Sequence, residues 1–338
     1  QDVRMPVELD ESTGKNTSPK FDIGRNLCNK LWNAAKFAMM MLEKNPVQAG
    51  APIDAQELSL VDRWMLSRVV HATGAVNTAL RNYMFKDYAD AIYDLLWRDF
   101  CDWYLESIKP TVGTDPNQAA VLRHVLDSIL RLMHPVTPFI TEAIHERLST
   151  IPMREIEGFS FDETKSSETL CQSGWPEPDQ SLRDEVAEEA YGRLVALTTA
   201  IREVRASNKV PPKRKVVFHV SGELASDVAR WSPMVETLCN LKEVSNDAAP
   251  ESSAAFVFEG AEYRVSDLAD AVDASVEKER LTKELEDLNK SIAGLEGRLS
   301  NPGYTDKAPE HLVNQTRAEL EQKKQDRDSM QTMLDKLG

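Results

Sequence analysis

The chain has 338 residues, of which 41% are hydrophobic and 28% charged, and its formal net charge is −15. This length is enough for two or three domains with a sizeable core, and the composition is that of an ordinary globular protein. The absence of an eighteen-residue apolar run argues against a membrane span, and the acidic balance argues against a generic basic nucleic-acid binder.

The first half of the chain predicts a helical bundle. Residues 1–20 are polar and are expected to form an irregular junction segment. This N-terminus has neither an initiator Met nor the apolar core of a signal peptide, so we expect it to be the interior of a longer protein. Five amphipathic segments then predict helices at 23–42, 60–82, 88–108, 117–133 and 138–148. We therefore expect an α-helical bundle over residues 21–149.

The middle of the chain changes character twice. Residues 150–181 are rich in Pro and Gly and lie in a strongly acidic region, which predicts an extended connection over the bundle. Residues 182–272 contain helical segments and three β-type runs, at 214–220, 254–260 and 261–265. This pattern predicts a small α+β unit that connects the bundle to the tail.

The tail, residues 273–338, predicts an antiparallel two-helix coiled-coil hairpin. Its first half carries a heptad seam with 4-3-4-3-4 spacing, formed by Leu281, Leu285, Leu288, Ile292, Leu295 and Leu299. The return is less regular, because polar Thr316, Lys323 and Arg327 interrupt a seam that is formed by Val313, Leu320, Met330, Leu334 and Leu337. Pro302–Gly303 is expected to turn the chain between the two helices. Because apolar residues are sparse off the seam, we expect the hairpin to project from the body.

Motifs of known catalytic sites are missing from the sequence. There is no glycine-rich phosphate loop, no H-E-x-x-H and no G-x-S-x-G, so no catalytic, cofactor-binding or metal-ligating residue is predicted. The four cysteines form no C-x-x-C pair, which favours free thiols in a reducing compartment. Asp99 and Asp102 share one side of a helix, but the aromatic residues around them favour ion pairs to other helices. His134 precedes a proline and is expected to be structural.

The first predicted helix has an unusual surface. Residues 23–42 contain no acidic residue, although 55 of the 338 residues are acidic. The helical period places on one apolar face Ile23, Leu27, Leu31, Ala34, Ala38 and Leu42. Cationic and amide side chains lie opposite, with an indole beside them: Arg25, Asn26, Asn29, Trp32, Asn33 and Lys36. Such groups can contact phosphates, read base edges and stack on a base, although composition alone favours an ordinary solvated face.

Six segments occur in a characteristic order along the chain: GRNLCNKLWNAAKF (24–37), DRWMLSR (62–68), WRDFCDWYLE (97–106), LMHPVTPFITEAIHE (132–146), SGWPEPD (173–179) and LSNPGYTDKAPEHLV (299–313). In this order they resemble the valyl-tRNA synthetase family, and the resemblance runs over the whole chain. HPVTPFITE would also be shared with the leucine and isoleucine enzymes. DFCDWYLE and NPGYTDKAPEHLV look specific to the valine enzyme, whereas the insertion DESTGKNTS (10–18) departs from shorter members of the family.

The resemblance implies a role for each predicted part. The bundle would be the anticodon-binding domain of a class I synthetase. The hairpin would be the C-terminal arm, which lies against the corner of the tRNA where the D and T loops meet. Candidate contacts of the arm are its cations, Lys278, Arg280, Lys283, Lys290, Arg298, Lys307, Arg317, Lys323, Lys324 and Arg327. They are split between the two helices, so charge alone does not identify the helix that faces RNA.

The family's catalytic residues cannot be assigned to this sequence, since it contains neither an H-x-G-H segment nor a K-M-S-K-S loop. The resemblance implies a whole enzyme that joins valine to tRNA-Val with ATP and Mg²⁺ and clears mischarged threonine. The present chain is expected to bind tRNA-Val without a cofactor of its own. Its expected partners are the catalytic and editing domains of the same polypeptide, in a cytoplasmic monomer without a membrane.

Two other interpretations remain open from the sequence. The chain could be a helical scaffold or interaction protein that dimerises or docks a partner through its coiled coil. It could also be the anticodon module of a sister synthetase. Binding of tRNA that weakens with salt would distinguish RNA recognition from protein docking, because phosphate contacts release counterions.

Overall fold

A computed structural model describes residues 7–159, 169–250, 253–268, 271–305 and 310–335. It confirms a mainly helical fold with a small mixed sheet and a C-terminal helical hairpin. The chain divides into two compact units, Gln1–Ser266 and Asp267–Gly338, which are described one after the other. Among the described residues, no helix has the length and apolarity that a membrane span requires.

The first unit begins with a short antiparallel hairpin. Strands β1 (Glu8–Asp10) and β2 (Lys15–Thr17) pair across a turn in which Gly14 has a φ of 65°. The Asp10 carboxylate accepts hydrogen bonds from within this turn. The prediction of an irregular junction is therefore wrong for this part, and residues 1–6 lie outside the described residues.

The bundle contains every predicted helix, with ends that differ by a few residues. Its helices are α1 (Pro19–Lys44), α2 (Leu60–Arg81), α3 (Phe85–Tyr93), a π-helix (Asp94–Tyr104), α4 (Leu105–Ile108), α5 (Gln118–Met133) and α6 (Pro138–Leu148). The single helix predicted at 88–108 is thus an α-helix that continues through a π segment. Helix α5 is buried along nearly its whole length and packs against α1, α2 and α6.

The charged side chains of α5 form ion pairs in the bundle core. The carboxylate of Asp127 on α5 is 1% exposed and lies 2.7 Å from Arg131 Nε, 3.4 Å from Arg123 Nη1 and 3.4 Å from His145 Nδ1. Burial by itself would raise the pKa of Asp127, but these neighbours lower it to about 2. This carboxylate therefore ties α6 to α5 in its ionised form.

The α+β unit follows the bundle. It consists of α7 (Glu185–Ser207), β3 (Val216–His219), α8 (Leu224–Cys239), β4 (Leu241–Ser245), β5 (Ala254–Phe258) and β6 (Ala261–Ser266). The strand order is β4-β3-β6-β5, in which only the β3–β4 pair is parallel. Strand β4 was not predicted, because its sequence, LKEVS, does not alternate apolar and polar residues.

Helix α7 packs against α2 of the bundle and against α8 and β5 of the α+β unit. The Tyr191 ring stacks on Trp64 of α2 with ring centroids 3.9 Å apart, and the Tyr191 and Ser107 hydroxyl oxygens are 2.6 Å apart. Two residues further along α7, Arg193 Nη1 donates to Asp227 Oδ2 of α8 at 2.8 Å. One helix therefore holds the two parts of the first unit together.

Residues 169–181 of the predicted connection contact the bundle. Arg131 Nη1 donates to the carbonyl of Gly174 at 2.6 Å, and Trp175 Nε1 donates to Asn77 Oδ1 at 2.8 Å. Residues 160–168 lie outside the described residues.

The second unit is an antiparallel pair of long helices, α9 (Ala271–Leu299) and α11 (Glu310–Asp335), with the short α10 (Pro302–Thr305) between them. The seam buries Ile292, Val313, Thr316 and Leu320. The prediction that Thr316 interrupts the seam is wrong, because its hydroxyl is 2.8 Å from the Tyr304 hydroxyl. Leu337 lies outside the described residues, and the side chains of Leu281, Met330 and Leu334 are not described.

Candidate nucleic-acid interface

Helix α1 has an exposed N-terminal half and a buried C-terminal half. From residue 21 to residue 30 no side chain is buried, whereas Leu31, Ala35 and Ala38 are fully buried. Ile23 is 64% exposed, so the expectation that it joins the buried face is wrong. The apolar face of α1 is covered only from Leu31 onwards.

The lengths of the helices explain this division. Helix α1 has 26 residues and α5 has 16, which correspond to about 39 Å and about 24 Å. The C-terminal end of α1 lies beside the segment before α5, since a Cβ at Gly113 would be 3.1 Å from Asn45 Oδ1. The two helices run in opposite directions from this end, and the first turns of α1 extend beyond α5.

The structure brings the six predicted residues together on the exposed side of α1. We call this the α1 surface, formed by Arg25, Asn26, Asn29, Trp32, Asn33 and Lys36. All six side chains are exposed, and the Trp32 side chain is 42% exposed. Met40, which the sequence analysis missed, is 41% exposed and continues the same face at the (i, i+4) spacing from Lys36.

The two cations of the α1 surface differ in their pairing. Arg25 Nη2 lies 2.7 Å from Asp22 Oδ1, one residue outside the acid-free stretch. Lys36 forms no ion pair with any described side chain. The expectation of a surface without a competing carboxylate therefore holds at Lys36 and is wrong at Arg25.

The π-helix forms one border of the α1 surface. Lys30 Nζ is 2.9 Å from Asp102 Oδ1 and 4.8 Å from the centre of the Trp97 ring, which stacks on Tyr93. Lys30, Tyr93 and Trp97 were not predicted from the sequence as neighbours of the surface. The cluster of aromatic residues in WRDFCDWY was the available signal, but the π-helix that orients these rings has no periodic signature.

Two structural roles predicted for polar residues are confirmed. Asp102 pairs with Lys30, and Asp99 Oδ2 accepts a hydrogen bond from Arg68 Nε of α2 at 2.9 Å. Burial raises the pKa of Asp99, while the charge of Arg68 opposes the rise. His134 Nδ1 is 2.8 Å from Thr141 Oγ1 and thereby joins the start of α6 to the end of α5.

Most described cations of the arm are engaged. Lys290 lies 3.6 Å from Asp287, Lys324 Nζ 2.9 Å from Glu296 Oε1, and Arg327 Nη2 2.7 Å from Asp328 Oδ1. Lys283, Arg317 and Lys323 form no ion pair with another described side chain, and Arg298 lies over the Tyr304 ring. The side chains of Lys278 and Arg280 on α9 are not described, and Lys307 lies outside the described residues.

The described residues offer little for metal or small-molecule chemistry near these surfaces. Within the described parts of the chain, no three His, Cys, Asp or Glu side chains are placed to hold a metal ion. A cleft of about 550 Å³ lies between α2, α7 and α8, lined among others by Val186, Arg230 and Trp231. It includes no residue of the α1 surface.

Two family models match the chain. Residues 62–220 match the model described as the anticodon-binding domain of tRNA ligase, and residues 273–338 match the model described as the valyl tRNA synthetase tRNA binding arm. The first match begins at Asp62 and does not include α1. The assignment of the α1 surface therefore depends on its own geometry.

Curated relatives that are described as valine–tRNA ligases align over most of the chain. Valine–tRNA ligase of Thermotoga maritima is 34% identical over 304 residues, which are 89% of this chain and 32% of the relative. Valine–tRNA ligase of Clostridium acetobutylicum is 34% identical over 90% of this chain and 34% of the relative. That of Neisseria meningitidis is 32% identical over 93% of this chain and 32% of the relative. The chain thus spans about a third of the length of the curated relatives it matches.

Proposed function

We propose a function for this chain, which belongs to the valine–tRNA ligase family and corresponds to the C-terminal, tRNA-binding part of its members. The function is recognition of tRNA-Val at two places. The bundle binds the anticodon loop through the α1 surface, and the arm binds the backbone at the corner of the tRNA. The arm acts through shape and phosphate contacts, which carry little base information.

The observation that carries this proposal is the chemistry of the α1 surface. Two cations, three amides and an indole are exposed on one side of a helix whose residues 23–42 contain no acid, in a chain with a net charge of −15. Cations attract phosphates, amides can read base edges, and an exposed indole offers a ring on which a base can stack. Lys30, which pairs with Asp102, lies at the border of this surface.

The remaining parts of the proposal concern the whole enzyme. Attachment of valine with ATP and Mg²⁺, and removal of mischarged threonine, would be carried out by catalytic and editing domains with which this chain forms a monomer. This chain contains neither H-x-G-H nor K-M-S-K-S, and we assign it no cofactor and no catalysis of its own. The proposed location is the cytoplasm, with which its four free cysteines agree.

The test of the bundle uses four alanine variants of the α1 surface and filter binding of tRNA-Val. Lys36→Ala is expected to weaken binding by about 1 kcal/mol, and Arg25→Ala by less because Asp22 already partly neutralises this cation. Asn29→Ala and Asn33→Ala are expected to relax discrimination against anticodon mutants. Lys86→Ala, which removes an exposed cation of α3 that pairs with Asp90, is the matched control.

The fold of each variant is checked by circular dichroism. If all four variants are folded and bind the cognate and mutant tRNAs as the unmodified chain does, the α1 surface is only a solvated helix face and the proposal for the bundle fails.

The test of the arm is deletion of residues 279–332. This deletion is expected to weaken binding of different tRNAs to a similar extent and to flatten the salt dependence, because fewer counterions are released. Discrimination between valine and isoleucine anticodons should remain. The competing interpretation is that the coiled coil binds another protein or a second copy of the chain. It is favoured by an apolar side chain on α11, Leu312, that is 39% exposed. It requires that the deletion abolish self-association in sedimentation while the affinity for tRNA stays unchanged.

A further inference from the structure

The elbow of the arm contains a cation that is held by an aromatic ring. Arg298 lies in the last turn of α9, and its guanidinium carbon is 4.3 Å from the centre of the Tyr304 ring on α10. A planar guanidinium at this distance from a ring is attracted by the electron-rich face. Arg298 is exposed, so the guanidinium remains accessible to solvent beside the ring.

The ring itself is fixed in place. The Tyr304 hydroxyl lies 2.8 Å from the Thr316 hydroxyl and 3.3 Å from the carbonyl oxygen of Leu312. Thr316 is 6% exposed, and its Oγ1 also donates to the Leu312 carbonyl at 2.9 Å. The backbone of α10 is anchored as well, because Asn301 Oδ1 accepts from the amide of Gly303. The Tyr304 ring is therefore held in place where Arg298 contacts it.

Arg298 differs in this respect from the other engaged cations of the described arm. Lys290, Lys324 and Arg327 each lie beside a carboxylate, which a phosphate would have to displace. Arg298 pairs with no described carboxylate, and its support is a neutral ring. No carboxylate among the described residues compensates its charge, and its contact with the ring is made before any ligand binds.

We propose that Arg298 binds a backbone phosphate of RNA at the elbow of the arm, and that Tyr304 is the positioning residue that presents it. The N–H groups of a guanidinium lie in its plane, so stacking on a ring leaves its outer edge free for two parallel hydrogen bonds to phosphate oxygens. A side chain that is ordered in advance loses less entropy on binding than a free lysine. This inference rests on the proposed tRNA-binding function and names the atoms through which the arm would act.

The test measures the affinity of the full chain for a tRNA-Val transcript between 50 and 200 mM salt. Arg298→Gln is expected to lower the affinity about tenfold and to reduce the slope of log K against log salt by about one. Arg298→Lys keeps the charge but loses the planar edge, and it is expected to recover the slope while the affinity stays reduced. Lys86→Gln, which removes an exposed cation of α3 that pairs with Asp90 and belongs to neither proposed contact surface, is the control and should leave the slope unchanged.

Two variants of Tyr304 distinguish the effect of its aromatic ring on Arg298 from the effect of its hydroxyl on the stability of the elbow. Tyr304→Leu removes the aromatic face and is expected to lower the affinity in the same direction as Arg298→Gln. Tyr304→Phe keeps the face but loses the hydroxyl contacts that fix the ring, so its affinity should lie between those of the unmodified chain and Tyr304→Leu. An unchanged affinity of Tyr304→Leu would overturn the positioning role.

The outcomes also separate this inference from the function on which it rests. If the unmodified chain binds tRNA-Val and Arg298→Gln retains its salt slope, the Arg298 site is wrong while the proposed function stands. If the unmodified chain does not bind tRNA, both are wrong.

Discussion

The bundle and the arm are both built from amphipathic helices. The bundle buries several charged side chains, whereas the described part of the arm buries none. In the bundle, every residue of α5 except Arg131 is buried, and the Asp127 carboxylate is enclosed by three cationic or titratable side chains. In the arm, the buried side chains among those described are Ile292, Val313, Thr316 and Leu320. Water screens most of the charges of the arm, whereas burial amplifies those of the bundle. The same type of substitution should therefore have very different consequences in the two units.

The largest expected effect comes from the core of the bundle. Asp127→Ala leaves Arg123, Arg131 and His145 around an empty site, and it should lower the free energy of unfolding of the first unit by about 3–5 kcal/mol. Urea unfolding can be followed by tryptophan fluorescence, because all six tryptophans precede residue 267.

The control in the arm is Asp287→Ala. It removes a carboxylate that is 66% exposed and pairs with Lys290. The helicity and unfolding midpoint of this variant should stay unchanged. A loss below 1 kcal/mol for Asp127→Ala would contradict the contrast between the two units.

The next effect is a pH dependence that only the bundle should show. Burial raises the pKa of Asp62 to about 6, despite hydrogen bonds from Ser59, Tyr104 and Gln118. The folded state therefore binds this proton more tightly than the unfolded state does, and the stabilisation is lost as the pH rises towards and through 6. Between pH 4 and pH 7.5 the loss should be about 2 kcal/mol.

Asp127 acts in the opposite direction. Its lowered pKa stabilises the folded state above about pH 4, and this stabilisation is lost as the pH falls towards 2. The Asp62 contribution is therefore measured as the difference between the unmodified chain and Asp62→Asn, by urea unfolding at several pH values. Parallel pH profiles for the two proteins would show that Asp62 does not titrate in this range.

A smaller effect is expected at the elbow of the arm. Tyr304→Phe removes the hydrogen bond between the Tyr304 and Thr316 hydroxyls and should cost the arm about 1 kcal/mol. The change should appear in the helical circular dichroism signal and leave the tryptophan transition where it is. A shift of the tryptophan transition would mean that the two units do not unfold independently.

The smallest expected effect is at a surface ion pair. Lys324→Gln breaks the contact with Glu296, whose side chain is 51% exposed. Exposed pairs of this kind contribute little to stability because water and salt screen them. The variant should have the unfolding midpoints of the unmodified chain in both signals, and a clear destabilisation would show that the arm depends on charge more than on its seam.

The sequence predicted local patterns well and long-range partners poorly. The helical period was enough to place α1, α2, α5 and α6, and to put the six residues of the α1 surface on one exposed side. It could not show that Ile23 would be exposed, because this depends on the lengths of two helices that are far apart in sequence. Strand β4 depends in the same way on its parallel partner β3.

The candidate sites show the same limit. Lys30 meets Asp102 and Trp97, which come about seventy residues later in the sequence, and Thr316 is accepted in the seam because Tyr304 supplies a hydroxyl. Arg25 was predicted as a free cation because the acid-free stretch was counted from residue 23, one residue after its partner Asp22. Periodicity identifies the face of a helix, and the partner of each polar side chain is decided by tertiary contacts.

The position of α7 has a consequence for synthesis of the chain on the ribosome. Helix α2 leaves the ribosome before α7 does. Tyr191, which covers the Trp64 ring, comes 84 residues after Ser107, and Ser107 itself comes after Trp64. At ordinary translation rates of 5–20 residues per second, the gap after Ser107 alone lasts roughly 4–17 s. During this time the bundle presents an apolar aromatic face without its cover. A nascent chain that stalls between these residues is therefore a natural substrate for chaperones.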